Sequence, residues 1–390
     1  VSKDLYLFRI DDDEIKFFEG LWSIPEGITY NSYLLITRDG SILFDSWKNV
    51  YATDFIEALK EVVEPRDIKY VVIHHAEPDH SGSVPEVVEL SKAEVLGHPL
   101  AGKLLNSFYG LEAKFRSLKD GDKIEVGDRK IEFIHTPWLH WPDTIMSLIN
   151  GKILLSGDAF GGFSMPQTVF DEGDVSEYLK YVRKYIVTVV GHYSSFILKA
   201  VEKLSSKGVS PEIIAPAHGL IFKNNPEKII DYYIKIARGE PEKKKITIVY
   251  GSMYGAVEKA VHAAIEELER KGFKLVVYGF TDVYRPEIAD IIADIVDAEA
   301  VVIGGATYEG EIFQYIKQLI DVVSSKVRVK KPVLVISSYG WAGVAGKKIS
   351  KKLEEAGFKV VGKVEFKGVP TASDLKELKE RVEALIEETG

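Results

Sequence analysis

The 390-residue chain contains no cysteine. That absence removes disulfides, thiolate zinc sites, iron–sulfur clusters and thiol nucleophiles together. Any metal here has to be held by imidazole and carboxylate. Long apolar runs are missing as well. Nothing approaches the roughly eighteen residues a membrane helix requires, and Val1 to Gly20 is charged throughout, without the apolar core of a signal peptide. A cytoplasmic protein, with no membrane partner, is the expectation. There is no excess of basic charge either. With 50 Lys and Arg against 59 Asp and Glu, the formal net charge is −9. That argues against a nucleic-acid partner, because phosphates need a basic face.

What is present describes an ordinary globular protein: 46% hydrophobic and 28% charged residues. A chain of this length exceeds one comfortable core, so two domains are expected. From Leu5 to about Asp158 short alternating strands are separated by turn residues, as in Tyr33–Ile36, Arg38-Asp39-Gly40 and Ile42–Phe44. Val50 to Val63 has helical spacing, and Asp174 to Leu204 reads as two helices. This predicts a layered α/β sandwich. The run from Gly239 to Lys245 combines breakers with charge and reads as a linker, giving domains 1–242 and 243–390. Beyond it, strands at Ile246–Tyr250, Leu275–Tyr278, Ala300–Ile303, Val333–Ile336 and Val360–Phe366 alternate with helices. That order predicts a doubly wound, five-stranded parallel sheet.

The densest chemistry is His74-His75-Ala76-Glu77-Pro78-Asp79-His80-Ser81-Gly82, directly after the apolar strand Tyr70–Ile73. His75, Glu77, Asp79 and His80 fall within six positions, and so many ionisable groups in a core would need a cation to compensate them. His140, Asp158 and His218 have the same flavour. Asp158 and His218 each follow a short apolar strand, and His140 lies in an aromatic-rich turn. Eight of the nine histidines lie at or before His218.

In the second half, three strand ends carry loops of small and aromatic residues. The first, Tyr250-Gly251-Ser252-Met253-Tyr254-Gly255-Ala256-Val257, enters a helix, a geometry that surrounds a phosphate with backbone N–H groups. The others are Gly304-Gly305-Ala306-Thr307-Tyr308-Glu309-Gly310 and Ser337-Ser338-Tyr339-Gly340-Trp341-Ala342-Gly343, both with aromatics able to cover a flat ring. None matches the dinucleotide fingerprint, which disfavours FAD or NAD.

The spacing His-x-Glu-x-Asp-His-Ser-Gly, followed by His, Asp and His, resembles the metallo-β-lactamase-like half of the flavodiiron proteins. Ordinary hydrolases of that superfamily carry a second His where this chain has Glu77, and the swap to a hard anionic oxygen favours iron over zinc. The Ser-Met-Tyr-Gly and Ser-Tyr-Gly-Trp segments resemble the FMN domain of the same family. The resemblance implies a metallo-β-lactamase-like αβ/βα sandwich followed by a flavodoxin-like domain. It implies His75, Glu77 and His140 on one iron, Asp79, His80 and His218 on the other, and Asp158 between them. Two divalent irons are then balanced by three carboxylates and one bridging hydroxide. FMN would contact Ser252, Met253, Tyr254, Gly255, Ala256, Val257, Ala306, Thr307, Tyr308, Glu309, Gly310, Ser338, Tyr339, Gly340, Trp341, Ala342 and Gly343. Flavodoxin-type phosphate loops commonly have Thr or Ser where this chain has Val257, and His74 stands where the family usually has Asn. His98 and His135 match no motif and read as structural.

The implied activity is reduction of dioxygen to water, or of nitric oxide to nitrous oxide, with electrons passing through FMN. Tyr193 resembles a tyrosine near the family's metal pocket and is the candidate catalytic side chain. A head-to-tail homodimer, or a dimer of such dimers, is expected, with Trp47 a candidate for its junction. Without the four thiolates of a rubredoxin in these residues, the expected donor is separate: rubredoxin or a reduced deazaflavin. The alternative is a zinc-dependent hydrolase fused to a flavodoxin-like domain, against which Glu77 counts. A flavin-based redox sensor would leave the seven ligands unused.

Overall fold

The computed structural model describes residues 1–389. They fall into two compact units, Val1–Ile186 with Tyr193–Ile234, and Val187–His192 with Lys235 onward. The division lies a few residues before the one read from the linker, within the helix Pro226–Arg238.

The first unit is built on two sheets. One runs in the order Leu5–Asp12, Ile28–Thr37, Gly40–Phe44, Ile68–Ile73, Glu94–Gly97, Phe115–Ser117. Its first two pairings are antiparallel and the rest parallel. The other runs Ile213–Pro216, Ile153–Gly157, Ile145–Ile149, Arg129–His135, Lys123–Val126, parallel only at its first pairing. Leu5, Tyr33, Leu35, Ile42, Phe44 and Val72 of one sheet share a core with Ile131, Phe133, Ile145, Ile149 and Leu155 of the other. Strands in the middle are buried along their whole length, as Ile145–Ile149 is, because each has a sheet on one face and helices on the other. This is the αβ/βα sandwich expected from the strand order.

The geometry explains where chemistry collects. Strands Ile68–Ile73 and Ile153–Gly157, and strand Ile213–Pro216, all stop with a ligand-type residue a few positions on: His75, Asp158 and His218. Trp47 lies in this unit's core, 5% exposed, with its indole donating to the Phe8 carbonyl at 3.3 Å and its ring 4.9 Å from Phe55.

The second unit holds five parallel strands in the order Lys274–Phe280, Lys245–Gly251, Ala300–Tyr308, Pro332–Tyr339, Lys359–Lys367. The sheet has one strand more than the alternation predicted. Glu311–Ile312 folds back antiparallel onto Thr307 and Tyr308 and shapes the third strand's loop. The crevice between reversing strand orders is where a sheet of this topology takes its ligand.

Candidate metal and flavin sites

The seven residues singled out in the first half meet at one place. His75, Glu77, His140 and Asp158 form one group, and Asp79, His80 and His218 a second, with ligand-type atoms mutually within 4.8 Å in each. Asp158 faces both ways. Its Oδ2 lies 2.9 Å from His140 Nε2 and 3.5 Å from His75 Nε2, while its Oδ1 lies 2.9 Å from His80 Nε2 and 3.5 Å from His218 Nε2. Glu77 Oε2 closes the first group, 2.8 Å from His140 Nε2 and 3.2 Å from His75 Nε2. Asp79 closes the second, 3.4 Å from His80 and 3.6 Å from His218.

Local sequence explains this convergence. Pro78 starts a single helical turn, Pro78–Ser81, which brings Asp79 and His80 inward. Ser81 then donates to the carbonyls of Ala76 and Glu77 at 2.9 Å, closing the loop on itself. Gly82 follows because a Cβ there would stand 2.3 Å from the Asn49 nitrogen and 2.6 Å from the Pro78 carbonyl. His218 Nδ1 donates to the Thr29 carbonyl at 2.7 Å, which fixes the tautomer with Nε2 free to face the cluster.

A pair of cations fits these donors. Six of the seven residues are no more than 6% exposed, and the Glu77 side chain is 12% exposed. Both oxygens of Asp79 and of Asp158, both ring nitrogens of His80, and His218 Nε2 are buried without an aligned hydrogen-bond partner. The ligand-type atoms of each group lie within 4.8 Å of one another, a spacing that donors around a shared ion adopt. Leaving such groups uncompensated costs several kcal/mol, of the order of 1–3 kcal/mol each. The protons reflect the crowding. Burial lifts the Asp79 carboxyl to about 7, aided by Glu77 and Asp158. Burial opposes charge on His80, but Asp79 and Asp158 outweigh it and hold that ring at about 10. Burial takes His218 down to about 4, the neutral form a metal needs.

Aromatic rings wall the centre. Tyr30, Tyr185 and Phe18 stand 5.6, 5.7 and 6.0 Å from the His218 ring, and Trp141 stands 5.9 Å from His75. Neither Tyr30 nor Tyr185 carries a local mark of function in the sequence, and Tyr185 is the more deeply set in charge. It is fully buried, and burial, then the Asp158 carboxylate, pushes its hydroxyl far above the ordinary phenol range. Its spacing with Tyr178 and Val182 is that of any core face of a helix, and only the π-helical turn that follows it, Ile186–Val190, marks the spot. Tyr193, the candidate from the resemblance, packs its half-buried ring 5.1 Å from Trp138 and 6.3 Å from Phe196. His98 and His135 lie against each other, ring centroids 4.7 Å apart, with His98 capping a helix.

In the second unit the three loops enclose a cavity of about 690 Å³, within the range of cofactor sites. Residues 252–254, 256, 257, 306–310 and 338–342 line it. Gly255 and Gly343 do not. Gly255 precedes the helix Ala256–Arg270 with φ +78, a left-handed turn that glycine makes without strain. Gly368 and Val369, after the last strand, line it too and were not foreseen; Gly368 donates its N–H to the Tyr339 carbonyl at 2.8 Å. Thr307 serves the scaffold, its hydroxyl accepting from the N–H groups of Val344 and Ala345 at 3.1 Å and so tying two loops together. Ser252 Oγ accepts from the Glu258 N–H at 3.4 Å beside the helix start. Val257 is 1% exposed and packs in the core, so no hydroxyl stands at that point. The rings of Tyr254 and Trp341 are 94% and 91% exposed, with Tyr308 at 39%, a flat-ring enclosure that is open on one side.

A β-lactamase-like sandwich with a two-centre His and carboxylate cluster, followed by a flavodoxin-like sheet, defines a metal-and-flavin class of protein. Residues 28–219 match the model described as the ODP family β-lactamase, and residues 248–381 match that of flavodoxin. A rubredoxin-oxygen oxidoreductase of Megalodesulfovibrio gigas is 30% identical over 93% of this chain and 90% of its own length. A nitric oxide reductase of Moorella thermoacetica is 29% identical over 96% of this chain and 95% of its own. Among solved structures, a point mutant of the flavo di-iron protein from Thermotoga maritima is 40% identical, with a TM-score of 0.94 over 98% of this chain and 96% of that one. The chain belongs to the flavodiiron protein family.

Proposed function

We propose that this chain is an oxidoreductase that reduces dioxygen to water, nitric oxide to nitrous oxide, or both. The observation that carries the reading is Asp158, whose two oxygens each face one of two converging ligand groups. On this reading His75, Glu77 and His140 would hold one iron and Asp79, His80 and His218 the other, with Asp158 a donor available to both. The cavity of the second unit would hold FMN, the Ser252 to Val257 loop offering a phosphate cradle and Tyr308, Tyr339 and Trp341 offering aromatic faces for the ring.

When bound, the irons and the flavin supply the electrons, four for dioxygen and two for a pair of nitric oxide molecules. The chain's own residues supply the rest. Trp141, Tyr30, Phe18 and Tyr185 exclude water from the centre, which strengthens every charge interaction within it. Glu77, held well below the usual carboxylate range because His140 and His75 outweigh its burial, stays an anionic donor. The Tyr185 hydroxyl keeps its proton, so it can donate a hydrogen bond toward the centre without adding charge.

Residues 1–242 form the metal half and residues 243–390 the flavin half of this account. The working form is a head-to-tail homodimer, or a dimer of such dimers, in the cytoplasm, served by a separate rubredoxin or reduced deazaflavin. Among the described residues no helix is long and apolar enough to cross a membrane. The zinc-hydrolase alternative is disfavoured by Glu77 and by relatives named as oxidoreductases. Metal and flavin analysis of the purified protein tests the choice. Iron with one FMN and consumption of either gas is the expected result; zinc with hydrolysis and no gas consumption contradicts it.

A further inference from the structure

Beside the metal centre lies a buried chain of three side chains that the mechanism above does not use. His74, the residue before the ligand His75, places Nδ1 2.5 Å from Asp45 Oδ2 and Nε2 3.0 Å from the Ser147 hydroxyl. The backbone N–H of His74 also donates to Asp45 Oδ1 at 2.8 Å. These distances are those of a nucleophilic Asp–His–Ser triad. Accessibility excludes that role. Asp45, His74 and Ser147 are 2%, 1% and 0% exposed, and no substrate carbonyl could reach Ser147.

The arrangement is a clamp. Asp45 follows the strand Gly40–Phe44 of one sheet and Ser147 lies in the strand Ile145–Ile149 of the other. His74 follows the strand Ile68–Ile73 and spans the gap between them. Phe44 stacks on the His74 ring at 6.0 Å and 11°. The His74 carbonyl accepts from the Ile145 N–H at 2.8 Å. On the far side of the ligand loop, Asp143 Oδ2 accepts from the Ala76 N–H at 2.9 Å, and the Ser46 N–H and hydroxyl donate to the His80 carbonyl at 2.7 and 3.0 Å. With Nδ1–H donating to the Asp45 carboxylate, Nε2 of the neutral ring is the acceptor and the Ser147 hydroxyl donates to it.

We propose that the Asp45–His74–Ser147 chain is a positioning device, in which His74 bridges the two sheets and fixes the strand end from which His75, Glu77, Asp79 and His80 reach the metals. The proposal rests on the diiron reading. Three buried contacts on one imidazole over-determine its place, and a shift of His74 would be passed directly to His75 and through Ala76 to Glu77. Groups that orient ligands in this way affect metal affinity or activity by about 10- to 100-fold.

The test compares the full chain, loaded with iron and FMN and oxidised to the ferric state for its spectrum, with Ser147→Ala, His74→Asn and the double variant. Asparagine can keep a donor to Asp45 but cannot reach Ser147, so both single changes remove the same bond. Each is expected to retain FMN, to shift the iron–ligand absorption bands, and to lower iron affinity or kcat by about 10-fold. The double variant is expected to be no worse than His74→Asn alone, because the His74–Ser147 bond can be lost only once. Singles that keep the unsubstituted absorption, iron affinity and kcat overturn the proposal. Effects that multiply in the double variant also overturn it, since His74 and Ser147 would then act separately. If the unsubstituted loaded protein consumes neither gas, the functional reading fails, while the absorption and iron-affinity comparison still decides the positioning.

Discussion

The metal half and the flavin half build their sites by opposite means. In the first, four imidazoles and three carboxylates come from strand ends and the loops after them and sit almost wholly buried. In the second, the cavity is formed by loops, and rings such as Tyr254 and Trp341 stand largely in solvent. The metal site is held in place by the sandwich core and by bonds such as His218 to Thr29. The flavin loops are tied to one another, as Thr307 ties two of them, and leave one side for the ring to enter. Buried charges need the metals to be stable, whereas a flat, mostly apolar ring needs only shape and a phosphate cradle. Loss of a ligand should therefore be catastrophic and local, and loss of a flavin contact graded.

The largest effect is expected of Asp158→Ala, which removes a donor from both groups at once. The purified variant should hold little or no iron and reduce neither gas, yet keep FMN at one per chain. Iron retained in full, by metal analysis, would break the assignment of Asp158 as the shared donor. Tyr185→Phe comes next. Iron and FMN should both stay, and turnover of the gas should fall by about 10-fold if the hydroxyl serves the centre. An unchanged kcat would reduce Tyr185 to a wall.

On the flavin side, Trp341→Ala should weaken FMN by about 1 kcal/mol, roughly 5-fold in Kd, with iron content unchanged. Fluorescence titration of the apoprotein reads this directly, and a loss of iron in the same variant would show that the two halves are not separable in this way. Val257→Thr is the smallest change and runs in the opposite direction. A hydroxyl beside the phosphate loop should tighten FMN by up to about 1 kcal/mol, and weaker binding would mean that core packing at that point outweighs the new donor.

The same contrast explains what could be read from the amino-acid sequence. Metal ligation depends on side-chain identity, so His75, Glu77, Asp79 and His80 stood out by type and spacing, and a strand end is a sufficient address for Asp158 and His218. Flavin binding depends more on backbone and shape. The three loops were legible, but Gly255 serves a turn and Gly343 leaves room for the Tyr339 ring rather than lining the cavity, and Gly368 and Val369 are brought in by a strand far along the chain. Tyr185 escaped for a third reason. A tyrosine on the buried face of a helix has no local mark of function, and only tertiary packing sets its ring beside His218. The short strand Glu311–Ile312 escaped because a two-residue pairing has no periodicity to detect.

The central claim is that the two halves form one redox path, from flavin to a two-metal centre that reduces a gas. Stopped-flow mixing of the iron- and FMN-loaded protein, reduced anaerobically, with dioxygen and separately with nitric oxide tests it most directly. The account predicts rapid reoxidation of the FMN by at least one gas, and a slow one in Asp158→Ala, which keeps the flavin but not the irons. Equal FMN reoxidation rates in the two proteins would contradict it, because the flavin would then be reacting with the gas without the metal centre.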